Sequence, residues 1–202
     1  MIDRLNSIVQ STLVNKLFKW GNLIMIYGSF VLPAGLYFTN DFKTFGSIAW
    51  ISLIIIMAVH PLSDLFPNFR LFRKILTVRR WLGILSGMAA LTHGIGFFYV
   101  YPSEIGASYL LATNQMFLYG IIALVFSTLL LITSNNFSVR LLWKKWKWLH
   151  KGVYGMFYVV CIHIALIESG NGIDYTPVVI GMGVFILRAL AWWKARSVTS
   201  VL

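Results

Sequence analysis

The sequence predicts an all-α integral membrane protein, a bundle of six transmembrane helices with both termini on the cytoplasmic side. Three observations lead to this prediction. Hydrophobic residues make up 58% of the 202 residues and charged residues only 11%, whereas a soluble domain has about 25% charged residues. The apolar residues form six runs. Nearly all basic residues lie near the chain ends or in every second connection between the runs. We therefore interpret residues 1–202 as a single transmembrane domain.

The six apolar runs define predicted spans one to six. A span needs about 20 apolar residues to cross a hydrocarbon core of about 30 Å. Helix is the expected conformation, because lipid offers no partner to free backbone groups. Span one lacks a cleavage pattern of small residues, so we expect it to be a retained helix and not a signal peptide. In order, the runs are about Trp20–Phe38, Phe45–His60, Trp81–Tyr99, Met116–Thr133, Trp148–Ile167 and Pro177–Trp193.

The basic residues predict the orientation. Of the 17 Lys and Arg residues, all except Lys43 lie before span one, between spans two and three, between spans four and five, or towards the C-terminus. The positive-inside rule assigns these segments to the cytoplasm. The formal net charge of +11 is therefore explained by topology. We expect no nucleic-acid partner, because no soluble domain remains to bind one.

Two histidines lie inside predicted spans at similar depth. His93 is in span three and His163 is in span five, both in the outer half of the bilayer. Ionisable residues inside a membrane are costly and usually mark function. Two imidazoles on facing helices are the axial ligands that a six-coordinate haem iron requires. The alternative is that each histidine only forms a hydrogen bond to a neighbouring helix.

A second group of polar residues lies nearer the cytoplasm. His150 precedes His163 by 13 residues, which is roughly 20 Å along a helix. Arg80 precedes His93 by the same interval, so we predict an inner group of His150 with Arg80 or Arg79. The alternatives are an interfacial histidine and arginines that only set topology. His60 is expected to end a helix at the inner boundary.

Glycines flank both groups. We expect them to leave room for a flat macrocycle beside His93 and His150. They are Gly94, Gly96, Gly152 and Gly155.

Two segments resemble the ferric-reductase-like transmembrane domain family. Residues 77–84, TVRRWLGI, followed by His93, are similar to the start of its third helix. Residues 146–154, WKWLHKGVY, followed by His163, are similar to the fifth helix of its bacterial MsrQ branch. That branch comprises the haem-binding membrane subunits of the protein-methionine-sulfoxide reductase system. The resemblance spans roughly residues 45–170.

The resemblance implies one or two b-type haems. It makes His93, His163 and His150 candidate iron ligands, with Arg79 and Arg80 as further cofactor-binding residues. Ferric reductases and NADPH oxidases have four histidines and a flavin/NADPH domain. Here Arg79 or Arg80 stands at the fourth position.

The resemblance also implies partners and a location. A quinone pool or a cytoplasmic flavin reductase would donate electrons, with FMN as a candidate further cofactor. A periplasmic molybdenum-containing reductase subunit, which repairs oxidised methionine, would accept them. The chain would then be a multi-pass protein of the bacterial inner membrane. It would act as an electron-transfer subunit and not as a complete enzyme.

Two other functions remain open at this stage. One is a stand-alone transmembrane reductase of ferric ion or oxygen. The other is a non-redox, transporter-like module in which the histidines relay protons or pack.

Overall fold

The computed structural model describes residues 2–12, 14–20, 27, 41–101, 115–167 and 173–199. Within these ranges the regular elements are helices, and no strand occurs. Residues 14–20 are also helical, but most of predicted span one lies outside the described residues. The helices are α1 Ile2–Gln10, α2 Phe42–Leu65, α3 Arg70–Val100, α4 Gln115–Ile132, α5 Asn136–Leu142, α6 Lys144–Lys151, α7 Val153–Ala165 and α8 Thr176–Thr199.

Four described helices are long and apolar enough to cross a membrane: α2, α3, α4 and most of α8. They correspond to predicted spans two, three, four and six. Predicted span five is divided into α6 and α7, which meet at Gly152. The all-helical class is confirmed. The count of six spans and the cytoplasmic location of both termini remain predictions.

Helix α2 is longer than the sequence predicted. The prediction ended span two at His60, because a proline disfavours helical conformation in the residue before it. The structure continues the helix through Pro61 to Leu65. Pro61 is fully buried. The Ser63 hydroxyl donates to the carbonyl of His60 at 2.8 Å, an additional bond in the turn that contains Pro61.

Helix α3 begins earlier than predicted, at Arg70. Arg79 and Arg80 therefore lie on a helix and not in a connection. A side chain of the N-terminal helix α1 forms hydrogen bonds with the backbone where α3 begins. The Asn6 amide donates to the carbonyl of Asn68 at 2.7 Å, and the Arg70 N–H donates to Asn6 Oδ1 at 3.0 Å.

The helices pack as two pairs, α2 with α3 and α4 with α7, and α8 packs against α2 and α7. The main apolar cluster lies where these pairs meet. Phe157 is at its centre with no exposed surface, and its ring stacks on Trp50 with centroids 5.6 Å apart. The buried members are Leu53, Met57, Leu130, Met156, Phe157, Cys161 and Val184.

Candidate cofactor site

His93 lies in the last third of α3 and reaches the first residue of α2. Its Nδ1 is 2.9 Å from the carbonyl oxygen of Phe42. A carbonyl only accepts hydrogen bonds, so Nδ1 carries the proton and Nε2 has the lone pair. Nε2 has no hydrogen-bond partner among the described residues. The imidazole therefore presents an unprotonated nitrogen that suits a metal.

His163 repeats this arrangement in the other helix pair. It lies in the last turn of α7, and its Nδ1 is 2.9 Å from the carbonyl oxygen of Met116, near the start of α4. Its Nε2 likewise has no hydrogen-bond partner in the described part of the chain. Both histidines thus have the same tautomer, fixed by the same kind of backbone acceptor.

Each imidazole lies over a glycine one turn after its acceptor. A Cβ atom on Gly46 would lie 2.9 Å from His93 Nδ1, and one on Gly120 would lie 2.8 Å from His163 Cε1. Neither glycine was predicted from the sequence as part of the site. A usable signal was present, because a glycine inside a long apolar helix costs about 1 kcal/mol relative to alanine and so suggests a packing role.

The two histidines lie in neighbouring helix pairs, which contact each other through α3 and α4. Their helices, α3 and α7, are not extensively packed against each other, as expected where a flat group has to fit between them. Among the described residues no three His, Cys, Asp or Glu side chains form a metal site. Two nitrogen ligands do fit a haem, whose porphyrin supplies four more.

The profile of the family described as "Ferric reductase like transmembrane component" matches residues 44–161, more than half of the chain. The chain belongs to this family. The match includes Gly46, His93, Gly120 and His150 and ends two residues before His163.

Curated relatives of this ferric reductase like protein include two that bear the same name, protein-methionine-sulfoxide reductase heme-binding subunit MsrQ. The relative from Bordetella pertussis is 25% identical over 164 residues, which cover 78% of each chain. The relative from Rhizobium meliloti is 26% identical over 186 residues, which cover 89% of this chain and 81% of the relative. No solved structure matches the chain. The four candidate spans among the described residues, together with the family, indicate a multi-pass membrane protein.

The inner group of this family member lies around the turn that follows α4. His150 Nε2 is 3.1 Å from the Thr133 hydroxyl oxygen. That hydroxyl also lies 2.7 Å from the carbonyl of Leu129, to which it donates its single proton. It must therefore accept from Nε2–H of His150. The Trp146 ring stacks on His150 with centroids 4.0 Å apart.

The arginines meet the same turn. Arg80 donates to the carbonyl of Ser134 at 3.1 and 3.3 Å and to Asn136 Oδ1 at 2.8 Å. The structure thus brings His150 and Arg80 to the same turn, and Arg79 precedes Arg80 on α3. Unlike His93 and His163, His150 has its Nε2 occupied by a protein partner.

Two details differ from the expectations. Gly94 does not leave open space beside His93, because a Cβ on it would lie 2.6 Å from a methyl carbon of Leu124 on the packed helix α4. Gly155 does face open space, with no atom within 4 Å of a built Cβ. His60 is exposed in the final turns of α2 and bonds Asp64 at 3.0 Å. His60 was expected to end this helix, whereas α2 continues past it to Leu65.

Proposed function

We propose that this chain is the haem-binding electron-transfer subunit of a methionine-sulfoxide reductase system. The observation that carries the proposal is the matched pair of imidazoles, His93 and His163. Each has Nδ1 bonded to a backbone carbonyl and Nε2 without a hydrogen-bond partner among the described residues. The names of the MsrQ relatives point independently to the same reductase system.

His93 and His163 would hold a b-type haem through their Nε2 atoms. The bound haem would supply a one-electron Fe(III)/Fe(II) couple. The protein contributes ligand orientation: each Nδ1–H···O=C bond fixes the tautomer and prevents ring rotation, and it also makes Nε2 more basic. A more basic ligand favours the ferric state.

The inner group is our proposed donor side. His150, Arg79 and Arg80 surround the turn after α4, at the end of the bundle that the charge distribution assigns to the cytoplasm. Guanidinium groups bind carboxylates and phosphates, so this end suits a haem propionate or the phosphate of FMN. A quinol or a reduced flavin would donate here. A second haem at this level would bind Nδ1 of His150, or His150 would have to release Thr133 to offer Nε2.

The outer end is the proposed acceptor side. His93 and His163 contact the first turns of α2 and α4, which begin at this end. The proposed acceptor is a periplasmic molybdenum-containing reductase subunit, and the proposed location is the bacterial inner membrane. The donor loses two electrons and two protons. The acceptor uses two of each to convert one methionine sulfoxide to methionine and water.

The test is reoxidation by the partner. The purified chain, loaded with haem in liposomes, is reduced with a quinol analogue and mixed with the purified periplasmic reductase. Oxidation of the haem on addition of methionine sulfoxide is expected. It should be lost in His163→Ala and retained in the control His60→Ala, which lies outside both groups. Reoxidation by ferric citrate or oxygen alone, with no effect of the reductase, would instead indicate a stand-alone reductase.

A further inference from the structure

We infer that Gly46 and Gly120 are positioning residues that set the geometry of the two iron ligands. Each glycine forms a seat, defined here as the glycine together with the backbone carbonyl one turn before it. The first seat, Phe42 and Gly46, holds His93. The second seat, Met116 and Gly120, holds His163. This inference rests on the proposed function, since it assumes that both histidines bind haem.

The geometry of the seats explains why glycine is needed. In an α-helix the carbonyl of residue i accepts from the N–H of residue i+4, so a side chain at i+4 lies beside that carbonyl. A carbonyl oxygen has two lone pairs. One accepts the helical N–H, and the second can accept from an imidazole only if that ring comes close to the carbonyl. The missing Cβ of Gly46 allows the His93 ring to reach the carbonyl of Phe42. Gly120 does the same for His163 at Met116.

The same device occurs in both helix pairs. In each pair a histidine near the end of one helix reaches a carbonyl in the first turn of its neighbour, with both Nδ1···O distances at 2.9 Å. The built Cβ atoms would approach the two rings to 2.9 and 2.8 Å, closer than real Cβ contacts. A glycine chosen only for close helix packing would face its neighbour's backbone or apolar side chains. These two face the imidazoles.

Alanine at either seat should therefore move the ring. An added methyl group would push the imidazole away from the carbonyl and lengthen the Nδ1–H···O bond. Loss of such an outer-shell bond typically weakens metal binding about 10- to 100-fold. It also makes Nε2 less basic, so the ferric state is less favoured. We expect weaker haem binding and a more positive midpoint potential for Gly46→Ala and for Gly120→Ala.

Two glycines on the same bundle provide matched controls. A Cβ on Gly83, in α3, or on Gly183, in α8, would meet nothing within 4 Å. Gly83→Ala and Gly183→Ala make the same chemical change away from the imidazoles. We expect both controls to keep the wild-type haem affinity, low-spin absorption spectrum and midpoint potential.

The experiment compares the four variants with the wild type by haem titration, electron paramagnetic resonance and redox titration. A shift in the low-spin signal and potential of the two seat variants, absent from the controls, supports the inference. Unchanged signals and potentials in both seat variants overturn it. In another outcome, the yield of Gly46→Ala or Gly120→Ala protein falls equally with and without haem supply. That result also overturns the inference, because the glycine would then serve helix packing alone. A wild-type protein without haem would instead refute the proposed function.

Discussion

The hydrogen bond between Thr133 and His150 predicts that His150 is held by the protein and does not ligate the outer haem. Thr133→Val removes the hydroxyl and keeps the side-chain volume, whereas His150→Ala removes the ring. The bond is 3.1 Å long and partly buried, so its net contribution should be about 0.5–1.5 kcal/mol. The Trp146 ring stacked on His150 should contribute a similar amount, about 0.5–1.5 kcal/mol.

A double-mutant cycle isolates the hydrogen bond. Thr133→Val, His150→Ala and the double variant are compared with the wild type by thermal unfolding in detergent. We expect a coupling energy of about 1 kcal/mol, seen as a difference of roughly 2–4 °C between the double variant and the sum of the single effects. The outer haem should keep its low-spin spectrum in all three variants.

Two results would refute this reasoning. Additive effects of the two substitutions would show that the bond contributes nothing. Loss of the outer haem in His150→Ala, with Thr133→Val unaffected, would show that His150 acts as a ligand of that haem.

Three further predictions concern the two ends of the bundle and its core. The lysine in Arg80→Lys lacks the forked N–H donors of a guanidinium. Reduction of the haem from the donor side should therefore be slower in a stopped-flow assay. The stability of this variant should change by less than about 1 kcal/mol, because the guanidinium is exposed. The bond to Thr44 lowers the pKa of Asp41 below 3.8. The stabilisation by this group is therefore present above about pH 4 and lost as the pH falls further. Its contribution to the unfolding temperature should be constant from pH 5 to 8, and Asp41→Asn should reduce the decrease in unfolding temperature below about pH 4. Phe157→Ala should destabilise the fold by about 3–5 kcal/mol, measured by thermal unfolding, while Phe157→Leu should cost less; equal losses would contradict the stacked packing on Trp50.

Much of the fold followed from the sequence because lipid imposes a simple rule: long apolar runs become helices. Helix ends were less predictable. Pro61 suggested an end at His60, but its burial lets the helix continue to Leu65. Gly152 divides the predicted fifth span, but it was predicted only to leave room beside His150 and not to interrupt the helix. Burial and backbone hydrogen bonding decide where such helices end, and the sequence alone shows neither.

The sequence predicts the depth of the two histidines but not the direction of their rings. Counting residues along the two spans predicts similar depths for His93 and His163. It did not show which way each ring points, and therefore missed the carbonyl acceptors at Phe42 and Met116. The contact between His150 and Thr133 joins residues 17 positions apart across a turn. Only the packed structure brings them together.

The most direct test of the proposed haem site is the haem content of the purified protein. Wild type, His93→Ala, His163→Ala and the control His60→Ala are expressed with ample haem, and reduced-minus-oxidised absorption spectra are scaled to protein concentration. We expect b-type bands in the wild type and in His60→Ala, with loss of the outer low-spin haem in each of the other two variants. A colourless wild type, or unchanged spectra in both His93→Ala and His163→Ala, would contradict the ligation proposed here.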